Sequence, residues 1–236
     1  NRPTVLAMLG AALAMLGAMP ERWFHIPDHQ LAFACDRDAR RGCLARQQGE
    51  PIHGGGGVLY PTDDYFPLVR QVCDRHKVLF IADEVITGFC RTGKWFAMEH
   101  WKVNPDILSF AKGVSSGYLP LGGIMVSKAI KETMDTVKLE DRWMHAYTYS
   151  GHPTCCAVGI KNVEIMEKER LWERAAVMGK RLHEGLHAAF DDHPNLGDIR
   201  SGKGLLAAVE LVEDKATKKM FDPARLLQAR VDNRAR

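Results

Sequence analysis

A chain of 236 residues with 46% hydrophobic, 26% charged and 8% aromatic residues has ordinary globular composition, which excludes disorder and collagen-like structure. The length allows one large domain or two modest ones, and either could bury a real core. The 32 Lys and Arg against 29 Asp and Glu leave a net charge of +3, spread along the chain, which gives no case for nucleic acid or an anionic membrane and points to a small-molecule substrate.

Residues 1–48 alternate weakly and include an arginine-rich stretch without periodicity, Asp36 to Arg46. A poorly defined N-terminal edge is expected there, the chain starting at Asn1 as a fragment would. The apolar run Val5 to Met19, interrupted by Gly10 and Gly17, is too short for a membrane span. Regular signals begin at Glu50. The glycines Gly54 to Gly57 lead into a short extended piece, Val58 to Pro61, and Asp63 and Asp64 are good N-caps for a helix. Phe66, Val69, Val72 and Cys73 share one face of that helix to about His76.

Val78 to Ala82 is a continuous apolar run that suits a buried parallel strand. It runs straight into Asp83-Glu84, and Gly88 and Gly93 mark a turn region. Trp95 to Trp101 reads as a short helix. Asp106 to Ala111 is a second buried strand, ending at Lys112. A loop follows from Gly113 to Pro120, then a strand near Gly122 to Ser127.

Pro153 suits the first turn of a long helix to about Glu169. A second amphipathic helix spans about Trp172 to Phe190, Gly204 to Val212 is strand-like, and the tail from Ala224 to Arg236 has a helical pattern. Helix, strand, crossover and strand in this order predict an α/β fold. The expected divisions are 1–48, 49–152, linking helices over 153–192, and a partial C-terminal domain over 193–236.

Six cysteines without a CxxC pair suit reduced thiols and a cytoplasmic protein. His25 with His29, or Cys73 with His76, lacks a second pair at ligand spacing, so no metal site is expected. The glycine run is followed by no Gly-Lys-Ser/Thr and is not a P-loop.

The chemistry centres on Asp83 and Lys112. Each directly follows an apolar strand, and the 29 positions between them leave room for a crossover between parallel strands. Both side chains would then emerge at the carboxyl edge, where open α/β sheets bind ligands. On spacing alone, a salt bridge at the sheet edge is the simpler account. The other is a Schiff-base lysine beside a carboxylate that partners a pyridinium nitrogen.

The surrounding sequence bears on that choice. The stretch from Phe80 to Gly93 (FIADEVITGFCRTG), the stretch from Asp106 to Gly113 (DILSFAKG) and Ser115-Ser116-Gly117 together resemble the class III aminotransferases, pyridoxal-phosphate enzymes of the ω-aminotransferase type. Glu50-Pro51-Ile52 and His145 to Pro153 (HAYTYSGHP) match as well, and the likeness runs from about Glu50 to Pro223. The resemblance implies a fold-type-I large domain, a mostly parallel sheet flanked by helices, with part of a small C-terminal α/β domain. It implies Lys112 as the lysine that holds pyridoxal phosphate, Asp83 against the ring nitrogen and Val85 on the ring face. Thr148 would reach the cofactor phosphate of a neighbouring subunit, so a homodimer with shared active sites is implied, and Glu50 would support the cofactor.

The implied reaction is transfer of an amino group from an ω-amino acid or diamine to an α-keto acid such as pyruvate. Ile86 fits the pyruvate-using subgroup. The chain departs from the family at His53, where Gln is usual. By the resemblance, the family's phosphate-binding loop and its ring-stacking aromatic are expected upstream of Asn1, and an arginine for the substrate carboxylate beyond Arg236. A catalytically impaired or inactive fragment is therefore the alternative expectation.

Overall fold

The computed structural model describes residues 49–76, 78–138, 140, 147–225 and 231. The expectations for the run Val5 to Met19, for His145 and for most of the C-terminal tail lie outside these residues. Among them, no helix is long and apolar enough to cross a membrane, and no three metal-ligating side chains cluster.

Helix α1 (Tyr65–His76) is followed by strand β1 (Ile81–Asp83), β2 (Ile107–Phe110) and β3 (Gly123–Val126). β1 pairs parallel with β2, with Ile81 opposite Ile107 and Asp83 opposite Ser109, and β3 lies antiparallel on the other side of β2. Gly49 adds a further parallel bridge to Ala82. The order and directions are those predicted from the sequence, and the fold is α/β.

β1 is shorter than the apolar run that announces it. The Phe80 amide donates to the Asp106 carboxylate (2.7 Å), and the Val78 amide caps α1 through Cys73 O (2.9 Å), so neither is free to enter a ladder. The expected helix at Trp95–Trp101 narrows to a 3-10 turn over Ala97–His100.

Strand pleating sends alternate residues to opposite faces. One face carries Ile81, Ile107 and Ile124, covered by Ile130 of α2 (Lys128–Thr136). On the other side Ala82 joins Phe66 of α1, Phe80, Met98 and Trp101, while Leu108 and Phe110 pack with Val114. Both faces are thus covered, so every residue of β2 is buried, including Ser109. The sequence reading passed over α2, although Ser127 caps it by accepting from the Ile130 amide (3.4 Å).

Helix α3 (Pro153–Lys168) starts with proline, and a left-handed Arg170 turns the chain into α4 (Leu171–Phe190). Strands β4 (Leu196–Arg200) and β5 (Ala208–Leu211) form an antiparallel pair with an irregularity between Leu196 and Asp198. Among the ties between the β4–β5 segment and the residues before α3 are Arg200 Nε to Gly57 O (2.6 Å), Tyr60 Oη to Leu206 O (3.2 Å) and Leu205 N to Arg91 O (2.9 Å).

Candidate active site

At the end of β1 the chain leaves the sheet under tight control. The Asp83 amide donates to Gly49 O (3.3 Å) and the Glu84 amide to Ser109 O (3.0 Å). Asp83 Oδ1 then accepts from the Val85 amide (3.0 Å), fixing the carboxylate in an Asx turn. Its second oxygen has no hydrogen-bond partner among the described residues.

The pleat separates the two neighbouring acids. Asp83 lines a cavity of about 1140 Å³, whose wall also includes Val85, Ser109, Ala111, Tyr149 and His152. Glu84 is fully buried on the other side. Its carboxylate accepts from Thr87 Oγ1 (2.5 Å), the Ala97 amide (2.9 Å) and the Met98 amide (2.8 Å). Burial nonetheless raises its pKa above the ordinary carboxylate value, the three hydrogen bonds opposing that shift. Glu84 therefore staples the loop after β1 to the 3-10 turn at Ala97. Sequence reasoning did not assign it this role, although alternation at a strand end was the available signal.

Lys112 follows Ala111 of the cavity wall and opens a 3-10 turn, Lys112–Ser115, at the end of β2. It adopts a left-handed backbone (φ 41°), as does Ser116 (φ 49°). Non-glycine residues hold such conformations only where surrounding structure imposes them, and they gather at functional sites. The Lys112 side chain is exposed, and no ion pair joins it to Asp83, so the salt-bridge account of this pair is not the arrangement found.

The other expected residues are placed as follows. Val85 lines the cavity. Thr148 is exposed in the turn between two lining tyrosines, Tyr147 and Tyr149. Glu50 stands outside the wall, where its carboxylate accepts from the Gly54 amide (2.9 Å) and shapes the glycine-rich loop. Asp83 and Val85 are therefore brought together in the cavity. Lys112 and Thr148 adjoin it through their chain neighbours, and Glu50 does not reach it.

Two buried polar atoms without partners mark residues of the wall: Ser109 Oγ and His152 Nδ1. With the free oxygen of Asp83, they give a largely apolar cavity three unmet hydrogen-bonding groups. A flat heteroaromatic ring with polar substituents, such as the pyridine of pyridoxal phosphate, fits that set, an N–H facing Asp83 being the natural match.

The sequence pattern of the family described as Aminotransferase class-III matches residues 49–232. An uncharacterised aminotransferase, YhxA, of Bacillus subtilis is 46% identical over 179 residues, covering 76% of this chain and 39% of the relative. A putrescine–pyruvate aminotransferase of Pseudomonas aeruginosa is 41% identical over 177 residues, covering 73% of this chain and 37% of its own length. Among solved structures, the ω-transaminase of Pseudomonas jessenii in complex with PMP superposes with a TM-score of 0.69 at 42% identity, covering 74% of this chain and 38% of that one. The chain spans about two fifths of the length of the curated relatives it matches. With the family pattern matched over residues 49–232 and relatives 41–46% identical over about three quarters of it, the chain belongs to the class-III aminotransferase family.

Proposed function

We propose that this chain carries the central half-site of a pyridoxal-phosphate-dependent transaminase. It would move an amino group from an ω-amino acid or diamine to a pyruvate-like α-keto acid. One observation carries the proposal. Asp83 ends β1 in the cavity wall, and its register partner Ser109 stands three residues before Lys112 on the adjacent parallel strand.

Pyridoxal phosphate, when bound, supplies an aldehyde for covalent capture of amines and a ring that draws off the electrons released at the substrate carbon. The chain's own residues do the rest. Asp83, fixed by the Val85 amide, would face a ring nitrogen and keep it protonated. Val85 packs on the ring face. Lys112 would hold the cofactor through its amine, and that amine, when free, would be the group that moves a proton at the substrate carbon. Thr148 would serve a phosphate in a neighbouring subunit of a homodimer, and Glu50 holds the glycine-rich loop through the Gly54 amide.

The exposure of Lys112 favours a second reading, a family member with impaired cofactor binding. One experiment separates the two. The full chain is mixed with pyridoxal phosphate and reduced with borohydride, and the modified peptide is identified by mass spectrometry. Turnover of putrescine with pyruvate is followed in parallel. Modification at Lys112 together with turnover supports the transaminase, and modification without turnover supports the impaired form. No modification at Lys112 refutes the role of the lysine.

A further inference from the structure

Asn162 lies midway along α3, half-buried, and all of its hydrogen bonds to polar groups go to the turn that begins at Lys112. Nδ2 donates to Gly113 O (2.9 Å) and to Val114 O (3.0 Å), while Oδ1 accepts from Ser116 Oγ (2.9 Å). Two carbonyls can only accept, so the carboxamide has a single workable orientation, and each of its two N–H groups is used.

At its far end the turn is tied to the next one through Ser115, whose Oγ donates to Leu119 O (2.6 Å) and whose carbonyl accepts from Tyr118 N (3.0 Å); the end nearer Lys112 has fewer bonds. Within it, Val114 N bonds Ala111 O (3.2 Å) and Ser116 N bonds Gly113 O (3.2 Å). Both flanking residues, Lys112 and Ser116, are left-handed without being glycine. A short 3-10 turn between two unfavourable backbone conformations needs an external restraint. α3 is close enough to provide one because Gly159, one turn before Asn162, has no side chain. A Cβ there would stand 2.5 Å from Leu121 Cδ2. On the opposite side Gly113 abuts Phe89, in the loop that follows Asp83 and Val85.

We propose that Asn162 is a positioning residue for the Lys112 amine: by fixing the Gly113 and Val114 carbonyls it holds Lys112 in its left-handed conformation and sets the direction from which the amine approaches the cavity. The proposal rests on Lys112 being the reactive amine. Simple packing would not require a carboxamide here, since a leucine of similar shape would fill the same space.

Asn162→Leu and Asn162→Ala test it in the full chain. Both replacements favour helix more than asparagine does, so α3 is retained. Three quantities are read for each variant: amide exchange of residues 113–118, borohydride-trapped modification of Lys112 by pyridoxal phosphate, and acetylation of Lys112 by acetic anhydride. Lys128 and Lys168 serve as exposed references. The expected result is exchange about tenfold faster across the turn, as loss of two hydrogen bonds implies. Trapping by pyridoxal phosphate should fall by about tenfold or more, since small misplacements of a reacting group are that costly. Acetylation, which needs no cavity, should stay within about twofold, as a readout that senses exposure alone.

Unchanged exchange shows that Asn162 does not restrain the turn and overturns the proposal. Faster exchange with an unchanged ratio of trapping to acetylation shows a merely structural clamp and overturns it equally. If the unaltered chain traps pyridoxal phosphate elsewhere than at Lys112, the lysine assignment fails and the positioning proposal falls with it. Trapping at Lys112 that is indifferent to both substitutions removes the positioning role alone.

Discussion

Replacing Glu84 probes how the strand end that carries Asp83 is held. In Glu84→Ala, three donors lose their acceptor in a fully buried place: the Thr87 hydroxyl and the Ala97 and Met98 amides. Each unsatisfied buried donor costs about 1–3 kcal/mol, although the Thr87 hydroxyl can rotate to limit its share. Removing a buried carboxylate returns part of this, so a net loss of about 3–5 kcal/mol is expected, a large fraction of an ordinary domain's stability.

Glu84→Gln should cost less, about 1–2 kcal/mol at pH 7, because its carbonyl still accepts. Whichever way its amide points, however, the NH2 group faces the N–H of Ala97 or Met98. The pH dependence sharpens the test. Burial raises the Glu84 pKa, so the folded state binds this proton more firmly than the unfolded state. The stability it contributes is therefore fully present below the unfolded carboxylate pKa and is lost as pH rises through the folded one. Glutamine removes that slope, so the deficit of Glu84→Gln relative to the native chain should widen as pH falls from 7.5 to 5. Urea denaturation followed by tryptophan fluorescence at the two pH values measures it. A loss under about 1 kcal/mol for Glu84→Ala, or a deficit that narrows toward acid, would refute the staple.

Three other outcomes are expected. Gly204 has φ 59°, and a Cβ there would come within 2.4–2.5 Å of Arg91 O and the Thr92 backbone. Gly204→Ala should therefore lower the melting temperature sharply, by an equivalent of about 3 kcal/mol, whereas Gly185→Ala on α4, with open space around it, should raise stability by about 0.5–1 kcal/mol. Equal effects would contradict the close approach. Burial pushes the Cys90 thiol up to about 11, so Ellman's reagent at pH 8 should modify half-buried Cys156 before Cys90 and reach Cys90 only on unfolding; early labelling of Cys90 counts against the packing of its loop. Asp83→Asn should still allow pyridoxal phosphate to be trapped on Lys112 but slow turnover by orders of magnitude, because a neutral partner does not keep the ring nitrogen protonated; unimpaired turnover would remove Asp83 from the site.

Much of the fold was legible because its elements are local. The β2 strand was announced by its apolar run, α3 by Pro153, and the parallel pairing of β1 with β2 by the length of the crossover. What escaped has physical causes. α2 is only nine residues long, with Ile130 and Met134 its only large apolar side chains and none fully buried. β4 contains Gly197 and Asp198, poor strand formers, and its alternation is broken at that point. The limits of β1 depend on a side chain 26 residues away, Asp106, taking the Phe80 amide. In the site, Asp83 and Lys112 could be found because each ends a strand. Apart from the bond to Thr87, Glu84 and Asn162 act through side-chain hydrogen bonds across 13 to 49 residues of sequence, and no local pattern announces such distant partners.

On the proposed reading, the rigidity of the site is unevenly divided, and the division suits its chemistry. The period of the strand makes two adjacent acids do opposite things: a one-residue slip of β1 would bury Asp83 and turn Glu84 toward the cavity. Two main-chain hydrogen bonds, from Asp83 N to Gly49 O and from Glu84 N to Ser109 O, hold that register; the Val85 amide fixes the Asp83 carboxylate, and the buried Glu84 staple holds the loop that follows. A carboxylate that must hold one ring nitrogen protonated gains from such immobility, since its charge is preorganised before the reaction begins. The lysine has the opposite task. It has to leave the cofactor when the substrate amine displaces it, and then carry a proton between two carbons. Its backbone is held by the turn and by Asn162, while its side chain stands exposed and unpaired with Asp83. A fixed root with a free amine allows that movement without loosening the sheet edge, and the two functional groups can differ in mobility because they sit on different strands.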